Sequence, residues 1–393
     1  MGDAPYPWVV RVLFLVTRFP HPPRRGDQVR AFHHLRHLAG RHEITLCHVG
    51  ASPSAADITA LESLGLGVEV IPNGSAISAV RLGRGVADRR PFQSLRVASR
   101  RLSARVRALA RGMDVVHAQL VRTGPLVDGL GVPVVFDLVD ALSMNLDRRS
   151  AHDRGPSRWA AAVEARRLGP YERALAARAA GVAVSTADDA AAIGHSTIEV
   201  VPNGVDLDGF GHRPGPRPNS LVVFAGNLGY FPNVDAAITL ARLIMPAIRT
   251  QVPEARLLLA GARPTRAVRR LVGPMVELLD EPDDLAPVIA SAAVTVIAMR
   301  AGSGIQNKVL EAMAVGTPVV TTARVAAAVG ARHGEHVLIA EGVDEFAAAT
   351  VDLFGDRDRA GTLAIAARRM VEEHYRWETS AAAIERLWTR AVG

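Results

Sequence analysis

The segment with the clearest chemical potential is residues 299–320, MRAGSGIQNKVLEAMAVGTPVV. Its glycines allow the backbone to approach a ligand closely. Gln306 or Asn307 can begin a short helix whose first N–H groups lack partners, and these groups favour an anion such as a phosphate. Lys308 adds a positive charge in the first turn. Glu311, three residues later on the same face, can accept two hydrogen bonds from a vicinal diol such as a ribose.

Lys308 is the only lysine in the chain, because every other basic residue among the 46 lysines and arginines is an arginine. A lone lysine in a phosphate-type loop predicts a site that needs an ammonium group. The alternative is a solvated helix lysine beside glycines that only turn the chain. The Gly-Thr-Pro sequence at 316–318, which ends the helix before an apolar strand, favours the first interpretation.

Length and composition limit the class of protein. The chain has 393 residues, enough for two to three domains, and 49% apolar with 22% charged residues is typical of a globular protein. No apolar run approaches the ~18 residues of a membrane span, and the segment from Trp8 to Val16 reads as a first strand. The single cysteine, Cys47, excludes an internal disulfide and favours a reducing, cytoplasmic location.

Positive charge is concentrated in one segment. The net charge is +7, and residues 81–111 hold ten arginines against one acidic residue, Asp88. An apolar stripe at helical spacing, 95–109, suggests a face that rests on an anionic membrane, peripheral on its inner side. The alternative is a solvated arginine-rich helix. Aromatic residues are only 5% of the chain, so we expect no nucleic-acid partner.

Short apolar strands alternate with helices through two long stretches of the chain. This pattern predicts an α/β protein with two doubly wound, Rossmann-like domains whose parallel sheets are covered on both faces. A segment rich in Gly and Pro, 209–220, separates the two stretches, so we place the domains at 1–210 and 211–373. Ligands in such domains lie beyond the carboxyl ends of the strands, and we expect a cleft between two facing domains.

Several other motifs were weighed. No GxGxxG follows the first strand, so a nicotinamide or flavin site is not expected there. His33 and His37 lack a third ligand, and Asp206-Leu-Asp208 precedes the linker, so we expect no metal. His117 and Asp140 each end a predicted strand, where catalytic groups are expected, although either can be a structural polar residue.

The sequence GSGIQNKVLEAMAVGTPVVTT, with VPNGVD and VVFAGNLGYFPNVDAA upstream, is similar to the retaining GT-B glycosyltransferase family of group 1, family four. The opening RVLFLVTRFPHPPRRGDQVRAFHHLRHLAGRHEITL and VVFDLVDALS resemble its exopolysaccharide-associated sugar transferases. The resemblance covers nearly the whole chain. It implies metal-independent, retaining transfer from a nucleotide-diphosphate-sugar donor, without a cofactor, to a saccharide, lipid-linked or small-molecule acceptor.

The resemblance also implies roles for parts of the chain. Residues 1–210 would bind the acceptor and 211–373 the donor, while 374–393 would form a C-terminal helix that returns to the first domain. Gly26 would let its loop approach the donor phosphates. Glu311 would hold the ribose hydroxyls, and the diphosphate would be held by Lys308 and the backbone of Gly304, Ile305 and Gln306.

Three departures from the family pattern change these expectations. Ser303 stands where the family has a sugar-binding glutamate. Asn227 stands where it commonly has an arginine, so phosphate charge would rest on Lys308, helped by Arg263. Asp140 replaces a histidine, and its carboxylate could stabilise positive charge on the sugar or orient the acceptor.

Other functions remain open at this point. A phosphorylase of the same scaffold would carry pyridoxal phosphate on Lys308, and a nucleotide-sugar epimerase would need no acceptor. Ser303 and Asn227 motivate a third reading, a non-catalytic protein that binds sugar nucleotides.

Overall fold

The chain forms two α/β units, each built on one parallel sheet. The computed structural model describes residues 9–74, 90–152, 155–213, 215, 220–300, 302 and 304–393. The first unit is Met1–Pro202 with Ser380–Gly393, and the second is Asn203–Thr379. The predicted fold class, two Rossmann-like parallel-sheet domains, is confirmed. Residues 203–210, assigned to the first domain from the sequence, group with the second unit.

The first unit contains a seven-stranded sheet. Its strands are β1 (Arg11–Val16), β2 (Glu43–Gly50), β3 (Gly67–Pro72), β4 (Val115–Gln119), β5 (Val134–Val139), β6 (Gly181–Val184) and β7 (Ile198–Val200). All pairs are parallel in the order β3-β2-β1-β4-β5-β6-β7. Every residue of β4 and β6 is buried, as expected for strands covered on both faces. Because β1 lies between β2 and β4, the strand order reverses at β1.

Helices cover both faces of this sheet. They are α1 (Gly26–Leu38), α2 (Ala55–Glu62), α3 (Phe92–Leu95), α4 (Arg100–Ala110), α5 (Leu142–His152), α6 (Pro156–Arg178) and α7 (Ala187–Ile193), with a 3-10 helix at Val121–Leu126. The apolar stripe predicted to rest on lipid packs in the protein: Leu102 and Val106 are buried in the core of the first unit. Because these side chains are buried in the core, the stripe gives no support to a membrane face. Residues 81–89 of the arginine-rich segment lie outside the described residues.

The second unit contains a six-stranded parallel sheet. Its strands are β8 (Leu221–Ala225), β9 (Arg256–Gly261), β10 (Val276–Asp280), β11 (Val294–Ile297), β12 (Val319–Thr321) and β13 (Leu338–Ile339). Their order is β10-β9-β8-β11-β12-β13. The strand order reverses at β8, which pairs with β9 on one side and β11 on the other. Such a switch point opens a crevice at the carboxyl ends of the strands.

The helices of the second unit include a long run after β8. They are α8 (Phe231–Thr239), α9 (Met245–Arg249), α10 (Arg266–Arg269), α11 (Ala286–Ala290), α12 (Asn307–Ala314), α13 (Ala323–Ala328), α14 (Val343–Gly355) and α15 (Arg357–His374). The last helix, α16 (Trp377–Val392), begins in the second unit and belongs to the first unit from Ser380 onwards. A π-turn at Leu240–Ile244 joins α8 to α9. The turn shifts the buried face of the run without breaking the helix.

This run corrects one expectation. Among the described residues, Phe231–Arg249 is a helical segment long and apolar enough to cross a membrane by length and composition alone. The sequence analysis expected no such run. Ala236, Leu240 and Ile248 are fully buried in the core of the second unit, and a core helix meets the same criterion.

Helix α16 completes the core of the first unit. Its residues Ala381, Ile384 and Trp388 are buried together with side chains of β1 and β4. Ser380 Oγ donates to the Pro202 carbonyl at 2.7 Å and lies 2.9 Å from His34 Nε2. The first unit therefore depends on the end of the chain for part of its core.

His117 belongs to this core. It lies in the middle of β4, fully buried, with its ring stacked on Phe14 at 4.2 Å between centroids. Trp388 Nε1 donates to its Nδ1 at 3.1 Å. Burial lowers the pKa of His117 to about 4, so the ring is neutral at pH 7. The prediction that His117 ends the strand as a catalytic group is wrong, because its ring packs against Phe14 and Trp388 inside the core.

Trp388→Phe tests this contact. The substitution keeps an aromatic ring but removes the N–H that satisfies His117, leaving a buried acceptor without a donor. We expect the free energy of unfolding, measured by urea denaturation, to fall by about 1–3 kcal/mol. The control is Trp159→Phe, because Trp159 is 74% exposed. Equal losses in the two variants would contradict the structural role of the Trp388 hydrogen bond.

Candidate functional site

The site lies at the carboxyl edge of the second sheet, at the switch point between β8 and β11. Gly226 directly follows β8, and Met299 follows β11 after a single residue. Thr322, which follows β12, donates its hydroxyl to the Met299 carbonyl at 3.3 Å. The loop from Met299 then leads into α12, which carries Lys308 and Glu311.

Lys308 is buried over a glycine turn. Its side chain is 9% exposed, and its Nζ donates to Gln306 Oε1 at 3.0 Å and to Met299 Sδ at 3.3 Å. Burial lowers its pKa to about 8, against the opposing effect of Glu311. The ammonium is therefore mostly charged at pH 7, and its hydrogen-bond partners among the described residues are uncharged. Such a charge is stabilised when an anion arrives.

Two glycines make room for Lys308. A Cβ on Gly226, whose φ is +148°, would lie 3.2 Å from Lys308 Cε and 3.3 Å from Asn233 Nδ2. A Cβ on Gly261, at the end of β9, would lie 1.8 Å from the Gly226 carbonyl oxygen. The ends of β8 and β9 therefore meet backbone to backbone, and larger residues would separate them.

The loop before α12 is shaped for an anion. Gly304 has φ +64°, and Gly302 has φ +128° with a Cβ position 3.2 Å from Met299 Cε. Gln306 is the N-cap residue, and its side chain makes no capping hydrogen bond. The first N–H groups of an α-helix lack intrahelical partners. Ile305 is buried, and Ser303 lies outside the described residues.

The sharp turn at residues 202–204 contacts the start of α12. Asn203 Nδ2 donates to Asn307 Oδ1 at 2.9 Å. A Cβ on Gly204 would lie 2.4 Å from the Trp377 backbone nitrogen, and Val205 N donates to the Tyr375 carbonyl at 2.8 Å. The Pro-Asn-Gly sequence is thus held against the end of α15 and positions the first residue of α12.

Glu311 is a carboxylate without a partner. It is partly buried, and its side chain makes no hydrogen bond or ion pair within the part of the chain that the structure describes. Burial raises its pKa to about 7, although Lys308 acts in the opposite direction. A ligand with a diol would supply the two hydrogen bonds that the carboxylate lacks.

Asn227 and Arg263 lie in the turns after β8 and β9. Asn227 Oδ1 accepts from Gly229 N at 3.0 Å, so its side chain supports the turn rather than replacing the family's arginine charge. Arg263 is exposed, with φ +57°. Asn233 was not predicted as a site residue: its Nδ2 donates to the Asn227 carbonyl at 3.0 Å, and its buried Oδ1 has no partner among the described residues. It lies in the segment VVFAGNLGYFPNVDAA, where nothing in the sequence marks this side chain.

Two further predicted site residues, Asp140 and Gly26, belong to the first unit. Asp140 directly follows β5, beside Val139, whose φ is +67°. Gly26 begins α1, and a Cβ there would meet no atom within 4 Å. Gly26 therefore gives no sign of a backbone approach that only glycine permits.

Backbone strain marks the carboxyl edges of both sheets. The described residues include four with positive φ that are not glycine: Leu120, Val139, Arg263 and Glu281. They lie at or just after the ends of β4, β5, β9 and β10. Such residues cost free energy and concentrate where ligands bind.

The candidate metal motifs do not form metal sites here. Asp206 Oδ1 accepts from Asp208 N and Gly209 N, both at 3.2 Å, so this carboxylate closes a turn. Within the described ranges, no group of three or more His, Cys, Asp or Glu residues could hold a metal. Metal independence stays a prediction.

Gly226→Ala tests the fit of Lys308 in its place. The added methyl group would press on Lys308 Cε, and the alanine would have to adopt a strained φ. We therefore expect the free energy of unfolding to fall by about 1–3 kcal/mol. Urea denaturation measures the loss. Gly273→Ala is the matched control, because a Cβ there would meet no atom within 4 Å. A Gly226 variant as stable as this control would contradict the tight fit.

Glu311→Gln tests the unpaired carboxylate. Because its pKa is raised from 4.5 to about 7, the folded protein binds this proton more tightly than the unfolded chain. Stability should therefore be lost as pH rises from about 4.5 to 7, by about 1–3 kcal/mol after solvent screening. The Gln variant should lack this loss when urea unfolding is compared at about pH 5 and pH 8. The exposed Glu254→Gln should follow the wild type, and parallel curves for all three proteins would refute the assignment.

Comparison with known proteins finds relatives for the part of the chain that contains Lys308 and Glu311. The family described as "Glycosyl transferases group 1" matches residues 219–356. Two curated proteins of Mycobacterium tuberculosis, strains CDC 1551 / Oshkosh and ATCC 25618 / H37Rv, are 30% identical over 214 residues, 48% of this chain and 54% of theirs. Both are described as a GDP-mannose-dependent alpha-(1-6)-phosphatidylinositol monomannoside mannosyltransferase. The match therefore spans about half the length of these relatives.

Solved structures extend the likeness to both units. Anabaena HepE in complex with UDP and glucose matches with a TM-score of 0.69 at 16% identity, over 96% of this chain and 98% of that one. Sucrose-phosphate synthase from Thermosynechococcus elongatus matches with a TM-score of 0.70 at 16% identity, over the same shares. At these identities the likeness shows the fold alone. The chain thus has the GT-B fold of two Rossmann-like units, and its residues 219–356, which include Lys308 and Glu311, match the family of group 1 glycosyl transferases.

Proposed function

We propose that the protein is a retaining glycosyltransferase that transfers a sugar from a nucleotide-diphosphate-sugar donor without a metal. The observation that carries the proposal is the buried Lys308 ammonium, with uncharged partners, next to the start of α12 at the switch point of the sheet. A diphosphate supplies the negative charge that this arrangement lacks.

The chemistry of transfer explains why these groups are needed. As the bond between sugar and diphosphate breaks, negative charge grows on the leaving phosphate. Lys308 and the first N–H groups of α12 are fixed in place before the reaction and stabilise that charge. Glu311 holds the ribose hydroxyls, and Asn233 offers a further polar group beside the ammonium. For Asp140, in the first unit, we propose that its carboxylate stabilises the positive charge that develops on the sugar or orients the acceptor.

The donor class follows from the same groups. The mycobacterial relatives are described as GDP-mannose-dependent, and HepE has been solved in complex with UDP-glucose. Both donors join a sugar to a nucleoside diphosphate, which presents the ribose diol and two phosphates that Glu311 and Lys308 fit.

For the acceptor we propose a saccharide or lipid-linked saccharide, in a cytoplasmic reaction at the inner face of a membrane. The mycobacterial relatives act on a phosphatidylinositol monomannoside, a lipid-linked acceptor. The resemblance to exopolysaccharide-associated transferases supports a place in polysaccharide synthesis.

Lys308→Met tests the proposal. A panel of nucleotide sugars first identifies the donor that most raises the melting temperature of the wild-type protein. With that donor, we expect kcat/KM for hydrolysis or transfer to fall on the order of 10²–10³-fold, because one transition-state donor is lost. Arg266→Met, which removes an exposed positive charge elsewhere in the second unit, should keep wild-type rates.

Two outcomes would count against the proposal. Unchanged turnover in Lys308→Met would remove the charge-stabilising role. Tight donor binding with no hydrolysis or transfer in the wild-type protein, across a panel of acceptors, would instead support a sugar-nucleotide binding protein.

A further inference from the structure

The mechanism above leaves a second cation unused. Arg122 lies in the 3-10 helix that directly follows β4. It is partly buried, and its guanidinium makes no hydrogen bond or ion pair with another described residue. Its Nε is fully buried and without a partner. A guanidinium held in this way costs stability unless a ligand satisfies it.

Arg122 occupies the switch point of the first sheet. The strand order reverses at β1, and β4 is the neighbour of β1 on the side where Arg122 emerges. Directly after β1, the buried Thr17 hydroxyl also has no partner among the described residues. In the second unit, Lys308 lies in the segment that follows β11, which is likewise a neighbour of the switch-point strand, β8. Each unit therefore has a cation, partly buried in the first and buried in the second, in the segment that follows this neighbouring strand.

The surrounding charges favour an anion. Burial is the main cause that lowers the pKa of Arg122 to about 10, and Arg18 and Arg96 act in the same direction. Asp27 and Asp140 oppose them. Asp27, however, is already paired, because Arg18 Nη1 donates to both of its oxygens at 2.9 Å. Arg122 thus has positive neighbours and one further carboxylate, Asp140, in its surroundings, but it makes no ion pair with either carboxylate among the described residues.

Hydrogen bonds also fix the backbone around Asp27. Gln119, the last residue of β4, donates its Nε2 to the Asp27 carbonyl at 3.0 Å. Gln28 donates to the Phe19 carbonyl at 2.7 Å. These bonds tie the start of α1 to the ends of β1 and β4 and fix the backbone of Asp27, while its carboxylate is held by Arg18.

We propose that Arg122 binds a phosphoryl group at the carboxyl edge of the first sheet, with the Thr17 hydroxyl and Arg18 beside it. A guanidinium donates two parallel hydrogen bonds to phosphate oxygens, which its orphaned Nε–H and a neighbouring N–H can provide. The inference rests on the proposed function only for the source of the phosphoryl group. That source is either a phosphate-bearing acceptor or the diphosphate of the donor.

Binding of inorganic phosphate tests the site itself. All proteins carry Lys308→Met, so that the second unit's ammonium does not contribute. We expect Arg122→Gln to weaken phosphate binding, measured by isothermal titration calorimetry, by about 10- to 100-fold. The matched control is Arg101→Gln, because Arg101 is exposed on α4 in the same unit, and it should bind like the parent. Equal affinity in the Arg122→Gln and Arg101→Gln proteins overturns the proposal.

A purely structural role for Arg122 gives a different result. If phosphate is the missing partner, Arg122→Gln should melt at the same or a higher temperature than the parent without phosphate, and phosphate should no longer raise its melting temperature. A large drop in melting temperature with unchanged phosphate affinity would make Arg122 structural. Should Arg122→Gln not fold, Arg122→Lys decides: it keeps the charge but loses the fork, so weaker phosphate binding supports the proposal and unchanged binding overturns it.

Enzyme kinetics with the native Lys308 in place identify the source of the phosphoryl group. Arg122→Gln should raise KM for the acceptor and leave donor affinity unchanged if the acceptor carries the phosphate. Weaker donor binding instead assigns the site to the donor diphosphate. The phosphate titration needs no sugar transfer, so a failure of the proposed function leaves this site testable, and the reverse also holds.

Discussion

The site of the second unit depends on one constraint: the charged ammonium of Lys308 is buried away from water and makes no ion pair with a carboxylate among the described residues. Lys308 meets this constraint by lying over Gly226, where a Cβ would be in tight contact with Lys308 Cε at 3.2 Å. Gly226 in turn meets Gly261 backbone to backbone. The strand order that brings β8, β9 and β11 together at this point is therefore part of the site, since it supplies the two glycine turns and the Met299 loop.

The centre of this site was readable from the sequence because its parts are close together along the chain. Gly302, Gly304, Lys308 and Glu311 lie within ten residues, so spacing alone places them on one loop and one helix face. The alternation of strands and helices is also a local signal, and it predicted the two parallel-sheet domains.

Features that depend on distant partners could not be read in this way. His117 has the pattern of a strand-end histidine, but its role is set by Trp388, 271 residues away in the sequence. The apolar stripe of α4 has the same periodicity whether it meets lipid or a protein core. Asn233 and Arg122 matter because buried atoms lack partners, a property that exists only after folding.

The solitary lysine has a practical consequence. Its pKa of about 8 leaves a fraction of the amine uncharged, and therefore nucleophilic, under mildly alkaline conditions. Arginines do not react with amine-directed acylating reagents, so the only side chain on the whole polypeptide open to them is the one in the candidate catalytic crevice. Apart from the terminal amine, a single covalent adduct would thus report occupancy of that crevice. The protein carries its own chemical reporter, without any engineered tag.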